Sequence, residues 1–119
     1  DQINLVLSIF NELGKAILIE ERLMEAGTAL ASSGIAFALR YIRAAIEGGV
    51  ELGFYPKQAQ EIVVHTVKGA IDLLLENQSN PEAEIDKVTT PGGITIKGLN
   101  EMELSGFTSA VIRGLKASR

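Results

Sequence analysis

The stretch Gly34-Ile35-Ala36-Phe37-Ala38-Leu39-Arg40-Tyr41-Ile42-Arg43-Ala44-Ala45-Ile46-Glu47-Gly48-Gly49-Val50-Glu51 decides the fold. Its charged residues Arg40, Arg43, Glu47 and Glu51 follow one another at steps of three, four and four, which lines them up as one stripe on an α-helix. Ile35, Phe37, Leu39, Ile42, Ala45, Ile46 and Val50 occupy most of the remaining circumference. A helix apolar over so wide an arc has to be covered on several sides. The helical pattern extends outward over residues 28–52, with Glu20, Glu21 and Glu25 before it reading as a solvated helical turn.

Downstream, residues 53–55 read as a turn and Pro56 as the first residue of a second helix, where a missing N–H is no loss. That helix runs to about Glu76. Ala59, Val63, Val67, Ala70 and Leu74 form its apolar face, broadened by Ile62, Val64, Ile71, Leu73 and Leu75. A chain of 119 residues offers limited cover for two such faces, so the surplus predicts a partner subunit or another domain. Ala44 with Gly48, and Ala45 with Gly49, either permit close backbone approach at that contact or mark the end of the helix, since glycine costs about 1 kcal/mol inside one. His65 has no companion ligand or nucleophile and reads as a surface or structural histidine.

Residues 77–81, Asn-Gln-Ser-Asn-Pro, form a breaker-rich loop, and residues 81–88 a short helical turn. Then comes Thr89-Thr90-Pro91-Gly92-Gly93-Ile94-Thr95, placed before a helical pattern in Ile96, Leu99, Met102 and Leu104. Glycines let backbone N–H groups approach a ligand, a helix N-terminus adds partial positive charge, and threonines add hydroxyls, so the stretch suits a small carboxylate or phosphate. Taken by itself it reads first as a plain Pro-Gly turn with Thr95 as N-cap. It is neither a Walker loop nor a Gly-x-Gly-x-x-Gly dinucleotide turn. Gly106 breaks this helix before a last one over residues 107–117, with Phe107, Ala110, Val111 and Leu115 on its apolar face.

Upstream, Ile3, Val6, Leu7, Phe10 and Leu13 predict a short helix with Asp1 as N-cap and Gly14 as its stop, and residues 15–19 predict a buried strand. A strand needs neighbours, and no other strand pattern follows. Residues 1–19 are therefore expected to be the tail of a sheet-containing domain. The first residue is Asp1, with no Met and no basic leader, which leads us to expect a piece of a longer protein.

Composition narrows the function classes. Eleven basic against fifteen acidic residues, a net charge of −4 and no basic cluster argue against nucleic acid or an anionic membrane as partner. The absence of cysteine excludes disulfides, thiolate nucleophiles and cysteine zinc sites, and a single histidine cannot make a multi-histidine metal site. The longest charge-free stretch, residues 26–39, is shorter than the roughly 20 residues a membrane span needs. A soluble, cytoplasmic protein is expected.

Thr28-Ala29-Leu30-Ala31-Ser32-Ser33-Gly34, Val88-Thr89-Thr90-Pro91-Gly92-Gly93-Ile94-Thr95-Ile96-Lys97-Gly98-Leu99 and Ser105-Gly106-Phe107 together resemble the pyrroline-5-carboxylate reductase family. The second block carries the signature, a Thr/Ser pair followed by Pro-Gly-Gly and a Thr two residues later. The resemblance implies a mainly α fold, a helical bundle forming an interlocked dimer, with residues 20–119 as the dimerisation and substrate-binding domain and residues 1–19 as a helix-strand remnant of a Rossmann-type NAD(P)-binding domain. It implies reduction of 1-pyrroline-5-carboxylate to L-proline with NADPH or NADH, the last step of proline biosynthesis, by the full-length parent. The cofactor would be held mainly by the preceding domain, and the chain alone would be inactive. The partner would be a second copy, with further assembly open.

By position, Thr90, Gly92, Gly93, Ile94 and Thr95 match the family's carboxylate-binding loop, whereas Thr28, Ser32, Ser33 and Gly34 match the region near nicotinamide and substrate ring. No acid or base residue and no metal ligand is assigned. The chain departs from the family where Ala31-Ser32-Ser33-Gly34-Ile35 stands for Ser-Gly-Ser-Gly-Pro, and Ile94 for Thr. Two other readings are a non-catalytic helical dimerisation module and the helical domain of another Rossmann-linked dehydrogenase.

Overall fold

A computed structural model of the chain describes residues 18–119, and all regular structure among them is helical. A 3₁₀ turn, Glu21–Leu23, leads into α1 (Met24–Thr28), a π-helical segment (Ala29–Ser33) and α2 (Gly34–Glu51). Then follow α3 (Pro56–Asn77), α4 (Pro81–Val88), α5 (Ile94–Leu104) and α6 (Phe107–Ala117). The helix expected at residues 2–13, and residues 15–17 of the expected strand, lie outside the described residues. Residues 18–20 carry no regular structure, so the strand is not found in the part that is described.

The chain divides into two compact units, Asp1–Leu39 with Thr108–Arg119, and Arg40–Phe107. In the described part of the first, Ala29 is buried, and Gly114 lies so near Phe37 that a Cβ there would stand 3.3 Å from the ring edge. The absence of a side chain at Gly114 thus admits the aromatic ring, which supplies contact area in a chain with few aromatics.

In the second unit, α2 runs through Gly48 and Gly49 to Glu51 rather than ending at the glycines. A Cβ on Gly49 would stand 3.1 Å from the Cβ of Ala59, itself 2% exposed. Gly49 thus serves close approach, here to α3 of the same chain. Gly53, at φ 118°, turns the chain, and Pro56 opens α3 as expected. The backbone N–H of Tyr55 donates to Gln58 Oε1 at 3.2 Å, satisfying an N-terminal donor. Gln78 in the left-handed region closes α3, its N–H bonded to the Leu74 carbonyl. Tyr41 and Phe107 meet edge to face at 6.3 Å.

The interior is thin. Among the described residues only Ala29, Ala59 and Glu84 are buried. Ile62, Ile71 and Leu75 on α3 are 48%, 51% and 70% exposed, and Ile35 and Leu39 on α2 are exposed as well. Burying one such side chain is worth about 1.5–3 kcal/mol, so these faces forgo stabilisation that a covering surface would supply. This is the surplus that the sequence pattern predicts. The helical stretch Glu21–Glu51, 31 residues long with a window of mean hydropathy 1.2, also meets the length and composition needed to cross a bilayer, which residues 26–39 alone do not. Its polar stripe carries an ion pair, Arg43 Nε to Glu47 Oε1 at 3.0 Å.

Candidate carboxylate-binding turn and helix entrance

Thr90, Pro91, Gly92 and Gly93 make one tight turn. The Gly93 N–H donates to the Thr90 carbonyl at 2.9 Å, with Pro91 at the second position and Gly92 at φ 72° at the third, the type II arrangement. Proline fixes the φ the second position needs, and glycine adopts the positive φ at the third without the roughly 1–2 kcal/mol cost other residues carry. Gly93 is required for a different reason. A Cβ there would lie 2.5 Å from Thr90 Oγ1 and 3.1 Å from the Thr90 carbonyl oxygen.

The turn fixes where α5 begins. Gly93 is its N-cap, extended at φ −76° and ψ 168°, and no side chain caps the helix. Thr95 is therefore the second helical residue and not the N-cap of the turn reading. The 90-to-93 hydrogen bond makes Gly93 the last extended residue, which starts the helix two positions earlier than that reading placed it. The N–H groups of Ile94, Thr95 and Ile96 consequently have no intrahelical acceptor, and they point out of a positive helix end. Ile94, 86% exposed, offers only its N–H, whereas Thr95 offers N–H and hydroxyl. Thr89 stands apart: its hydroxyl donates to the Ile85 carbonyl at 3.0 Å and so belongs to the end of α4.

Thr28, Ser32, Ser33 and Gly34 lie in the other unit. Thr28 Oγ1 donates to the Met24 carbonyl at 2.9 Å, so its proton is committed to the helix. The turn read at Ser32-Ser33-Gly34 is not a turn but the passage from the π-helical segment into α2. Gly34 has helical angles and open space where a Cβ would be, and Ile35 retains the N–H that a proline would lack, so nothing breaks the helix. One π turn widens the spacing of successive side chains, as is common at functional sites. Ser32 is exposed and Ser33 half-buried. His65 is exposed on α3, away from any of these stretches in sequence.

Sequence reasoning passed over Glu84, the one buried carboxylate among the described residues. Its Oε1 accepts from Asn77 Nδ2 at 3.3 Å and its Oε2 from Lys87 Nζ at 3.1 Å. Hydrogen bonds from Ser79 and Lys87 hold this carboxyl below the usual carboxylate range. The only signal was Asn80-Pro81 at a helix start, which foretells α4 but not the side chain that anchors it. Asn80 does cap α4, its Oδ1 accepting from the Ala83 N–H at 3.0 Å.

The helical fold of the described residues agrees with the comparisons to known proteins. The family described as pyrroline-5-carboxylate reductase dimerisation matches residues 21–119. The chain belongs to this family. Pyrroline-5-carboxylate reductase 1 of Dictyostelium discoideum is 54% identical over 110 residues, covering 92% of this chain and 20% of that protein. The Synechocystis pyrroline-5-carboxylate reductase is 37% identical over 118 residues, 99% of this chain and 44% of its own length. Among solved structures, the Plasmodium falciparum pyrroline carboxylate reductase with NADP bound superposes with a TM-score of 0.86 at 29% identity, covering 97% of this chain and 44% of that one. The Coxiella burnetii reductase gives 0.85 at 30%, covering 99% and 44%. The chain thus spans less than half the length of these relatives. The pyrroline-5-carboxylate reductase dimerisation family is the helical fold expected from the sequence.

Proposed function

We propose that residues 20–119 are the dimerisation and substrate-binding part of a longer reductase that converts 1-pyrroline-5-carboxylate to L-proline with NADPH or NADH, residues 1–19 being the end of its nucleotide-binding domain. The observation that carries this reading is the Thr90–Gly93 turn leading into an uncapped helix, in a chain 54% identical to a protein named for that reaction.

In this mechanism the substrate carboxylate takes the open N–H groups of Ile94, Thr95 and Ile96, with the Thr95 hydroxyl as a fourth donor. A carboxylate held there costs no ion pair, because the helix end supplies the positive potential. Fixing the carboxylate orients the ring, and orientation is what a protein must add when the cofactor carries the chemistry. A reduced nicotinamide bound beside this site would supply the hydride that reduces the imine carbon, and the protonated imine nitrogen would become the secondary amine of proline. No acid or base side chain is needed, in keeping with a chain that has no cysteine and one histidine.

The residues present fit one end of the cofactor only. The hydroxyls of Ser32 and Ser33 can meet a carboxamide or a ribose, whereas the sequence has no Gly-x-Gly-x-x-Gly turn to seat a pyrophosphate. The chain alone is therefore inactive in this account. The exposed faces of α2 and α3 are covered by a second copy, making an obligate homodimer in the cytoplasm, open to further assembly. This assigns the apolar stretch Glu21–Glu51 to a protein interface and not to lipid.

Oxidation of NAD(P)H by the full-length protein on addition of 1-pyrroline-5-carboxylate tests the reading; no oxidation contradicts it. The exposed apolar faces by themselves also support a second reading, a helical dimerisation module without catalysis. A dimer that does not oxidise the cofactor would favour it.

A further inference from the structure

We propose that Glu84 is a positioning residue for the Thr90–Gly93 turn, tying α4 to the end of α3 so that the entrance of α5 keeps its geometry. That the turn receives a substrate carboxylate rests on the reading above; that Glu84 holds the turn does not.

Glu84 is 9% exposed, and its carboxylate joins two places in the chain. Asn77 is the last residue of α3, and Lys87 is in the last turn of α4. The Lys87 side chain is 62% exposed, so that pair is screened and the anchoring to α3 falls on Asn77. These same contacts keep the carboxyl ionised at neutral pH, with both oxygens available as acceptors.

α4 has eight residues, far fewer than the roughly 12–15 an isolated helix needs to hold itself. Its N-terminus has Pro81 and the Asn80 cap, and its C-terminus the Thr89 hydroxyl on the Ile85 carbonyl. Neither ties it to another helix, whereas Glu84 does. Only Thr89 separates α4 from Thr90, whose carbonyl holds the Gly93 N–H. With one intervening residue there is no slack, so a drift of α4 moves the acceptor on which the turn closes.

The test uses the full-length protein and two variants. Glu84→Leu removes the acceptors while keeping an apolar stem in the buried place, and Glu84→Gln retains an acceptor oxygen. In Glu84→Leu, amide hydrogen exchange at Gly93 should accelerate about tenfold while exchange at Val67, in mid α3, stays unchanged. KM for 1-pyrroline-5-carboxylate should rise about three- to tenfold with kcat within about twofold. Glu84→Gln should lie within about twofold of the parent on both readouts. Unchanged Gly93 exchange in Glu84→Leu, equal acceleration at Val67, or a Glu84→Gln as impaired as Glu84→Leu would overturn the proposal. Faster Gly93 exchange with an unmoved KM, or with no turnover in the parent, would support the positioning role and overturn the substrate assignment of the turn.

Discussion

In residues 90–95 each backbone choice follows from a residue type: Pro91 fixes one angle, Gly92 takes φ 72°, Gly93 leaves room for Thr90, and α5 starts where the turn ends. Across residues 28–34 the opposite holds, for Ser32, Ser33 and Gly34 are helical, Gly34 meets no steric demand, and a π turn carries the chain into α2. The first stretch is built by local rules and the second by the continuity of a long helix. The stretch made by local rules should be brittle to substitution and the other tolerant.

Three substitutions in the full-length protein, ordered by expected effect, can break that contrast. Gly93→Ala sets a methyl against both oxygens of Thr90, so the turn must open; KM for the substrate should rise at least about tenfold in steady-state kinetics, the equivalent of losing one charge-assisted hydrogen bond. Gly92→Ala adds no clash and only the cost of a positive φ, about 1–2 kcal/mol, so a fall in Tm should accompany a smaller rise in KM. Gly34→Ala meets open space in a helical conformation and should be neutral or stabilising by up to about 1 kcal/mol in thermal unfolding. A Gly34→Ala as damaging as Gly93→Ala would erase the difference between the two stretches.

The contrast extends to pH. Because the Glu84 carboxyl is lowered below its ordinary 4.5, it contributes stability that is fully present above that value and is lost as the pH falls through the lower folded value. Glu84→Gln should therefore lower Tm at pH 7 and flatten its decline below about pH 4.5, so that the two proteins converge in acid. An unchanged acid limb would remove Glu84 from the acid response.

What was legible in the sequence divides along the same line. The periodicity of Arg40, Arg43, Glu47 and Glu51 placed α2, Pro56 placed the start of α3, and Pro-Gly-Gly placed the turn, because each acts through its own backbone or its own helix face. Thr95 as N-cap failed because a hydrogen bond between two other residues set the helix start. The partner of Gly49 and the anchoring role of Glu84 depend on residues 10 and 7 positions away, and no single-residue preference encodes them. The π segment was missed because residues 29–33 carry the same helical propensities whether the turn has one residue more or fewer.

The central claim is that the α5 entrance binds the substrate carboxylate, with Thr95 as its principal side-chain donor. Steady-state kinetics of Thr95→Ala in the full-length protein, with 1-pyrroline-5-carboxylate as varied substrate, test it most directly. The account predicts a KM raised about tenfold or more, since a hydrogen bond to a charged group is worth about 1.5–3 kcal/mol, with kcat less affected. Unchanged KM and kcat would contradict it.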